Sequence, residues 1–359
     1  LTPRPILPTT IALALSLLSK RNSQTLLFSL LATMLSYLEI INKIDQLEEA
    51  HILITAFRLR VFSIIDRKSI SARELSGIAG TQLEGTEALL NALSSIGALV
   101  KRNNKFKNTP VTFKNFCESS PDFKKGTVML KQENLEEYKQ LTHIIKKGRD
   151  LQSFGNEDNP KFRRLFTYAM HERSELYSSE LASFVTRKPV GKLLDLGCGP
   201  GSYSAAILMK DKKGVATLID RSAAIRVARK IYKDHSVARR FKFVAGDLFQ
   251  DDFGNGFNTV LLSNILHIYN PKENMRLFNK ISNSLEKGGR FVLYDLFLND
   301  KQTEPYHAAL FALTMLLFTK TGKSYTFSET ESLLKSAGFK SFKRFKVGVG
   351  SSIIEAVKK

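Results

Sequence analysis

The stretch "KLLDLGCGPGSYSAAI", residues 192–207, begins as an apolar strand and then sets Gly197, Gly199 and Gly201 within five positions before a helix-like run starts. Glycine serves where the backbone must turn left-handed or be approached closely. In open α/β sheets, ligands bind beyond the carboxyl ends of the strands, and glycines after the first strand let a ligand reach main chain where side chains would collide. The three glycines therefore mark a nucleotide-like site. A dinucleotide fingerprint G-x-G-x-x-G would want glycine at position 202, where this chain has Ser202. No phosphate-binding lysine or Walker sequence follows, and Asp195 sits two residues before the first glycine, where a carboxylate can accept from an ammonium group.

Outward from this loop, strand and helix alternate. "GVATLID" (214–220), "FKFVAGDL" (241–248), "FNTVLLSNILH" (257–267) and "GRFVLYDLFL" (289–298) read as apolar strands. Helical runs such as "RSAAIRVARKIYKDH" (221–235) and "ENMRLFNKISNSLEKGG" (273–289) separate them. The pattern is that of a doubly wound α/β sheet. "FKRFKVGVG" (342–350) and "SSIIEAVKK" (351–359) follow the helix "SETESLLKSAG" with a tight loop between them, which predicts an antiparallel pair at one edge.

Upstream, the spacing predicts helices and then a hairpin between about residues 48 and 116. Ser71 with Glu74, and Thr81 with Glu84, read as capping boxes. Gly80 and Gly97 supply helix stops, and "LVKRNNKFKNTP" gives two extended pieces around an Asn-Asn turn. This is a winged helix-turn-helix pattern. Its recognition-helix equivalent, "TEALLNALSSIG" from Thr86, carries no Arg or Lys and has an apolar face, which favours packing or dimerisation over DNA reading. The basic wing, Lys101, Arg102, Lys105 and Lys107, argues the other way. Residues 120–190 read as mostly helical and end at "TRKPVGK", where Pro189 and Gly191 mark a boundary.

A length of 359 residues with 43% hydrophobic and 25% charged content predicts about two folded domains. Cys117 and Cys198 lie far apart without metal-ligand spacing, so a disulfide framework and a zinc site are not suggested, and a reducing compartment, the cytoplasm, is. The net charge of +20 is spread along the chain with no compact Lys/Arg block, as in a solvated lysine-rich surface; a polyanion partner is the rival. The apolar runs "ILPTTIALALSLLS" (6–19) and "TLLFSLLATMLSYLEII" (25–41) are each short of the ~20 residues of a spanning helix. They read as sequence upstream of a start at Met34 or as dimer-packing helices, ahead of a membrane hairpin.

"LLDLGCGPG" (193–201) resembles the first motif of the class I S-adenosylmethionine-dependent methyltransferases, and the late antiparallel hairpin resembles that fold's ending. With the winged-helix module, "LFTYAM" (165–170) and "GKSYTFSETESLLKSAGF" (322–339), the chain from about residue 45 is similar to small-molecule O-methyltransferases, more the bacterial branch than the plant one. The resemblance implies a Rossmann-like seven-stranded sheet at 191–359, a helical connector at 119–190, an N-terminal all-helical winged-helix domain at 41–118, and an extension at 1–40. It also implies a homodimer and no metal.

The same resemblance assigns site residues. Asp195 and the Gly197–Gly201 loop would hold the methionine part of S-adenosylmethionine, and Asp220 the ribose hydroxyls. Asp247 would take the adenine amino group, with Leu248 and Phe249 flanking the ring and Arg221 and Ser263 nearby. His267, in "NILHIYNP", would be the general base, oriented by Asp295. A second orienting acid of the plant pattern falls on Ser324, and Ile268 stands where plant members carry an acid. Phe166, Met170, Phe311, Met315 and Leu316 would line an apolar acceptor pocket. The leading expectation is methyl transfer to a hydroxyl of a small, apolar molecule; the alternatives are a methyltransferase on RNA or another polyanion, and a non-catalytic winged-helix regulator.

Overall fold

The computed structural model describes residues 35–149 and 159–359. The apolar runs before residue 35, with the start read at Met34, lie outside the described residues. The rest divides into two compact units, one ending at Phe113 and one beginning at Lys114.

The first unit opens with α1 (Tyr37–Arg58), begun by a capping box between Ser36 and Glu39. There follow α2 (Val61–Ile65), β1 (Ile70–Ser71), α3 (Ala72–Ala79), α4 (Leu83–Ser95), β2 (Leu99–Arg102) and β3 (Lys105–Asn108). Asn103 and Asn104 turn the β2–β3 hairpin at φ 47° and 55°, the left-handed pair that a two-residue turn requires. β1 joins this hairpin in a three-stranded sheet ordered β1-β3-β2, so the unit holds a small sheet beside its helices. The box at Ser71 and Glu74 forms. The one read from Thr81 and Glu84 does not, because α4 is capped at Gln82. That moves Glu84 one place too early to reach back, and the Thr81 hydroxyl instead meets that of Thr86 at 2.7 Å.

α5 (Pro110–Phe116) leads out of the first unit, and α6 (Lys125–Tyr138), α7 (Leu141–Lys147), α8 (Pro160–Ser174) and α9 (Ser178–Val185) make up the connector. α6 and α8 cross closely: a Cβ on Gly126 would lie 2.4 Å from the main-chain nitrogen of Ala169. Glu172 of α8 accepts from the N–H groups of Gly126 and Thr127 at 2.9 and 2.7 Å. These donors belong to the first turn of α6, where no partner exists within the helix.

After Gly191 the chain lays down β4 (Lys192–Leu196), α10 (Ser202–Lys210), β5 (Val215–Asp220), α11 (Ser222–Ile231), β6 (Phe241–Ala245), β7 (Phe257–Ser263) and α12 (Pro271–Ser284). It continues through β8 (Leu285–Asp295), β9 (Phe297–Leu298), α13 (Tyr306–Phe318), β10 (Tyr325–Thr326), α14 (Phe327–Ser336), β11 (Phe339–Val347) and β12 (Ser351–Lys358). Seven strands form one sheet ordered β11-β12-β8-β7-β4-β5-β6. β4 to β8 are parallel. β12 is antiparallel to both of its neighbours. The pair expected at the edge is therefore half interior, since β12 inserts between β8 and β11 and leaves β11 alone on the rim.

The residues account for that placement. β12 presents a buried run, Ser352 to Ala356, as a strand covered on both faces must, whereas β11 exposes Lys340, Lys343, Arg344 and Lys346. β11 also carries a register shift between Lys340 and Lys343, with Ser341 at φ 58°. One boundary differs from the sequence reading: "LEKGG", read as the end of a helix, starts β8, with Leu285 paired to Phe257. α12 is fastened to the sheet by fully buried rings, Phe278 against Phe291 at 5.5 Å and Phe291 against Phe339 at 5.3 Å. Each such side chain contributes about 1.5–3 kcal/mol by leaving water.

The crossing at Gly126 yields a stability test. Gly126→Ala should cost on the order of 1–3 kcal/mol, because the added methyl meets backbone that cannot move aside as a side-chain end could. Urea denaturation of the variant should show an earlier transition; a midpoint equal to wild type would mean that the helices separate freely.

Candidate active site

The chain builds β4, β5 and β6 outward in one direction and then returns to lay β7 on the other side of β4. At such a reversal, two neighbouring strands send their following loops to opposite sides and leave a crevice between their carboxyl ends. The glycine loop lies on one side of it and the segment from Asn264 to His267 on the other. The two touch: a Cβ on Gly197 would come within 2.4 Å of Ile265 Cδ1.

The three glycines have different reasons to be glycine, although all hold positive φ, at 65°, 53° and 76°. A Cβ on Gly201 would strike Leu218 at 2.6 Å, so Gly197 and Gly201 are bare for packing against the protein itself. A Cβ on Gly199 would meet nothing within 4 Å. Gly199 is thus the position where open space lies over bare backbone. The loop is held from β5: Gly197 and Cys198 donate to the Ile219 carbonyl at 2.9 and 3.2 Å, and Gly199 donates to Asp220 Oδ2 at 2.7 Å.

Two carboxylates lie beneath this loop. Asp195 is 1% exposed; its Oδ2 accepts from Ser204 at 2.6 Å, and its Oδ1 has no hydrogen-bond partner among the described residues. Burial, reinforced by the nearby Asp220 and opposed by the Ser204 hydroxyl, pushes the Asp195 carboxyl up to about 7. Asp220 is also raised by burial, with the N–H groups of Gly199 and Arg221 working against it. Each of its oxygens already accepts one backbone donor, Oδ1 from Arg221 at 2.6 Å, and retains a lone pair for another.

Beyond the ends of β5 and β6 opens a cleft of about 360 Å³, lined among others by Arg163, Arg221, Gly246 and Asp247. Asp247 caps the turn after β6, its Oδ1 accepting from Phe249 and Gln250 at 2.7 and 3.0 Å, while its Oδ2 pairs with Arg221 at 3.0 Å. Burial would raise this carboxyl, but those N–H donors and Arg221 outweigh it and hold it low. Leu248 is buried in the main core. Phe249 packs edge-on against Tyr269 at 4.8 Å, and Ser263, 7% exposed, ends β7.

On the other side of the crevice, His267 Nδ1 lies 2.6 Å from Asp295 Oδ1, and both residues are buried. Asp295 ends β8, next to β7, so adjacent strand ends bring the pair together. A carboxylate only accepts, so Nδ1 carries the proton and Nε2 is left as the basic nitrogen. Phe311 stands edge-on to the imidazole at 4.8 Å. Ser324 does not join the pair; it donates to the Ala308 carbonyl at 3.3 Å. Met315 is buried and Leu316 half-buried on the helix of Phe311, whereas Phe166 and Met170 are half-buried on α8, where Phe166 stacks on Phe162.

Some neighbours had no signal in the sequence. Ser204 serves Asp195 only because the glycine loop turns α10 back beneath β4. His171 of α8 meets Ser202 at 2.8 Å, and Arg163 of the same helix reaches the cleft. No short-range spacing announces either.

Residues 131–340, more than half of the 359, match the model of the O-methyltransferase domain. The chain is 25% identical over 297 residues to 3-hydroxy-5-methyl-1-naphthoate 3-O-methyltransferase of Streptomyces sahachiroi, covering 80% of this chain and 84% of that protein. It is 29% identical over 200 residues to L-tyrosine C(3)-methyltransferase of Streptomyces lavendulae, covering 55% and 54%. Its fold is similar to that of human N-acetylserotonin methyltransferase in complex with SAM, with a TM-score of 0.78 at 21% identity, covering 91% of this chain and 99% of that one.

The Asp195 environment sets a pH dependence. A carboxyl raised from 3.8 to about 7 binds a proton in the folded state that the unfolded chain has released. Its stabilising contribution is full below the ordinary value and is lost as pH rises through about 7. The melting temperature of the ligand-free protein should therefore fall between about pH 5 and pH 8, and Asp195→Asn should flatten that slope. Parallel slopes for the two proteins in a calorimetric scan would contradict it.

Proposed function

The chain belongs to the O-methyltransferase family of S-adenosylmethionine-dependent enzymes, and on that premise we propose that it methylates a hydroxyl of a small, largely apolar molecule with His267 as general base. The observation that carries the reading is the buried 2.6 Å contact between His267 Nδ1 and Asp295 Oδ1, which leaves Nε2 as the basic nitrogen beside the crevice. When bound, S-adenosylmethionine supplies a methyl group on a cationic sulfur, already activated for transfer.

Two features support the fit of that group. The unpartnered Oδ1 of Asp195 is a buried acceptor of the kind that an ammonium group satisfies. The open space over Gly199 admits a ligand to bare main chain. In this reading Asp195 and the glycine loop hold the amino-acid end and Asp220 the ribose hydroxyls with its remaining lone pairs. The base end lies toward the cleft, with Arg221, Asp247, Leu248, Phe249 and Ser263 around it.

For the acceptor, the chain must align an oxygen with the activated methyl group and remove its proton as the new bond forms. His267 Nε2 takes that proton, and Asp295 stabilises the imidazolium that results. Phe311, Met315 and Leu316, with Phe166 and Met170, would give the acceptor an apolar site that excludes water. The likeness to a naphthoate O-methyltransferase supports an aromatic hydroxyl. The likeness to a tyrosine C(3)-methyltransferase supports a second reading, an aromatic carbon beside a hydroxyl, for which the same base serves.

Assembly and location follow from separate observations. α1 buries only Ile54 and Ala56 among its 22 residues. It exposes Tyr37, Ile40, Ile44 and Leu47 at helical spacing, a stripe that suits the same helix of a second copy. Cys117 and Cys198 are both buried and lie in no disulfide among the described residues, which suits a reducing compartment, the cytoplasm. Among the described residues no helix is long and apolar enough to cross a membrane.

His267→Ala should cut turnover of a hydroxylated aromatic acceptor by about 10²–10⁴-fold and leave cofactor affinity nearly intact. With Asp295 as the one carboxylate on the imidazole among the described residues, the loss should fall toward the lower bound. Steady-state kinetics beside calorimetry separate the outcomes, and turnover within a few-fold of wild type with an unchanged pH profile would reject the base.

Light scattering at micromolar concentration should give twice the mass of one chain. Replacing Ile40 and Ile44 by Glu should halve it. A wild-type monomer would reject the dimer.

A further inference from the structure

The turn that carries His267 is held by its main chain as well as by its imidazole. The Leu266 carbonyl accepts from Asn274 Nδ2 at 2.9 Å, and the Tyr269 carbonyl from the Tyr325 hydroxyl at 2.6 Å. The His267 carbonyl itself accepts from the N–H of Lys323 at 3.0 Å. The loop supplying that donor lies so close that a Cβ on Gly322 would stand 2.2 Å from the His267 carbonyl oxygen. The position of the base is thus tied to the position of residues 319–324, which leave the end of α13.

That end of α13 lacks a cation of its own, and the carbonyls of a last helical turn have no partners within the helix. Thr319 covers one, its hydroxyl donating to Met315 at 2.6 Å. Another is met from far away in sequence. Arg149, just past α7, spreads its guanidinium over three carbonyls: Nε donates to Leu316 at 3.3 Å, Nη1 to Lys320 at 3.1 Å and Nη2 to Gly322 at 2.6 Å. One planar fork joins the last turn of the helix bearing Phe311 to the loop pressed on His267. Tyr138 of α6 adds a second tie to this helix, its hydroxyl 2.7 Å from that of Thr314.

We propose that Arg149 is a positioning residue for the reaction: it fixes α13 and the 319–324 loop as one piece, and through Lys323 and Gly322 it sets where His267 stands. The proposal rests on the reading of His267 as the base. Three donors in a fixed plane suit this task, and a lysine, with a single ammonium on a flexible stem, cannot reproduce them. Arg149 touches neither the glycine loop nor Asp195 or Asp220 through any of these bonds, so its loss falls on the acceptor side alone.

The test uses the full chain. In Arg149→Met, amide exchange at Gly322 and Lys323 should quicken by about tenfold, and the downfield proton resonance of the His267 imidazole should shift or broaden. Calorimetry with S-adenosylmethionine should give an affinity near that of wild type, and kcat for a hydroxylated aromatic acceptor should fall. Added guanidinium should restore both protection and rate, and Arg149→Lys should not. Unchanged exchange at Lys323, or an unmoved imidazole signal, overturns the proposal, as does a loss of cofactor affinity equal to the loss of rate. His267→Ala keeps the two readings apart: turnover that survives it rejects the base, while exchange and rescue still decide whether Arg149 fastens the loop.

Discussion

A carboxylate closed off from water at the end of β4 sets the conditions for the crevice around it. Asp195 has one oxygen on the Ser204 hydroxyl and the other on nothing described, in surroundings that favour its neutral form. A buried acceptor without a donor is destabilising, and folds retain such groups where a ligand completes them. Asp220, at the end of the neighbouring β5, is by contrast given two N–H donors, one from the glycine loop itself. The loop is therefore preformed by β5 while the acceptor beneath it stays without a donor among the described residues.

The two sides of the crevice are stabilised by different means. Around the glycine loop, strands and glycine geometry suffice, since Asp195, Asp220 and the loop itself come from β4, β5 or the segments that follow them. The other side is assembled from distant pieces: His267 after β7, Asp295 at the end of β8, a ring from α13, and a loop clasped by a residue that precedes all of them. Such an arrangement keeps the cofactor cradle independent of changes on the acceptor side. A family with one cofactor and many acceptors needs that independence.

The legibility of each part in the sequence follows the range of the forces that make it. The strands from β4 to β8 are written as apolar runs, and the glycine loop as a local pattern, because each is decided by residues within a few positions. The insertion of β12 between β8 and β11 was not written that way; only its uninterrupted buried run, against the lysine-rich alternation of β11, distinguishes an interior strand from a rim strand. Glu84 was misread because a capping box fails when the helix starts one residue late. His267 and Asp295 were found through the family motif. Ser204, His171, Arg163 and Arg149 were not, since each acts across a separation that only the folded chain closes.

β11 bears on the chain's surplus of positive charge. A rim strand leaves a row of unpaired main-chain groups, and an incoming strand from another molecule could use them to extend the sheet. Here four cationic side chains project from the rim, and the shift near Ser341 breaks the straight ladder that such an intruder would need. Part of the +20 is in this way a defence against aggregation: it keeps copies of the sheet from growing into one another, a role in which charge is valuable for what it turns away.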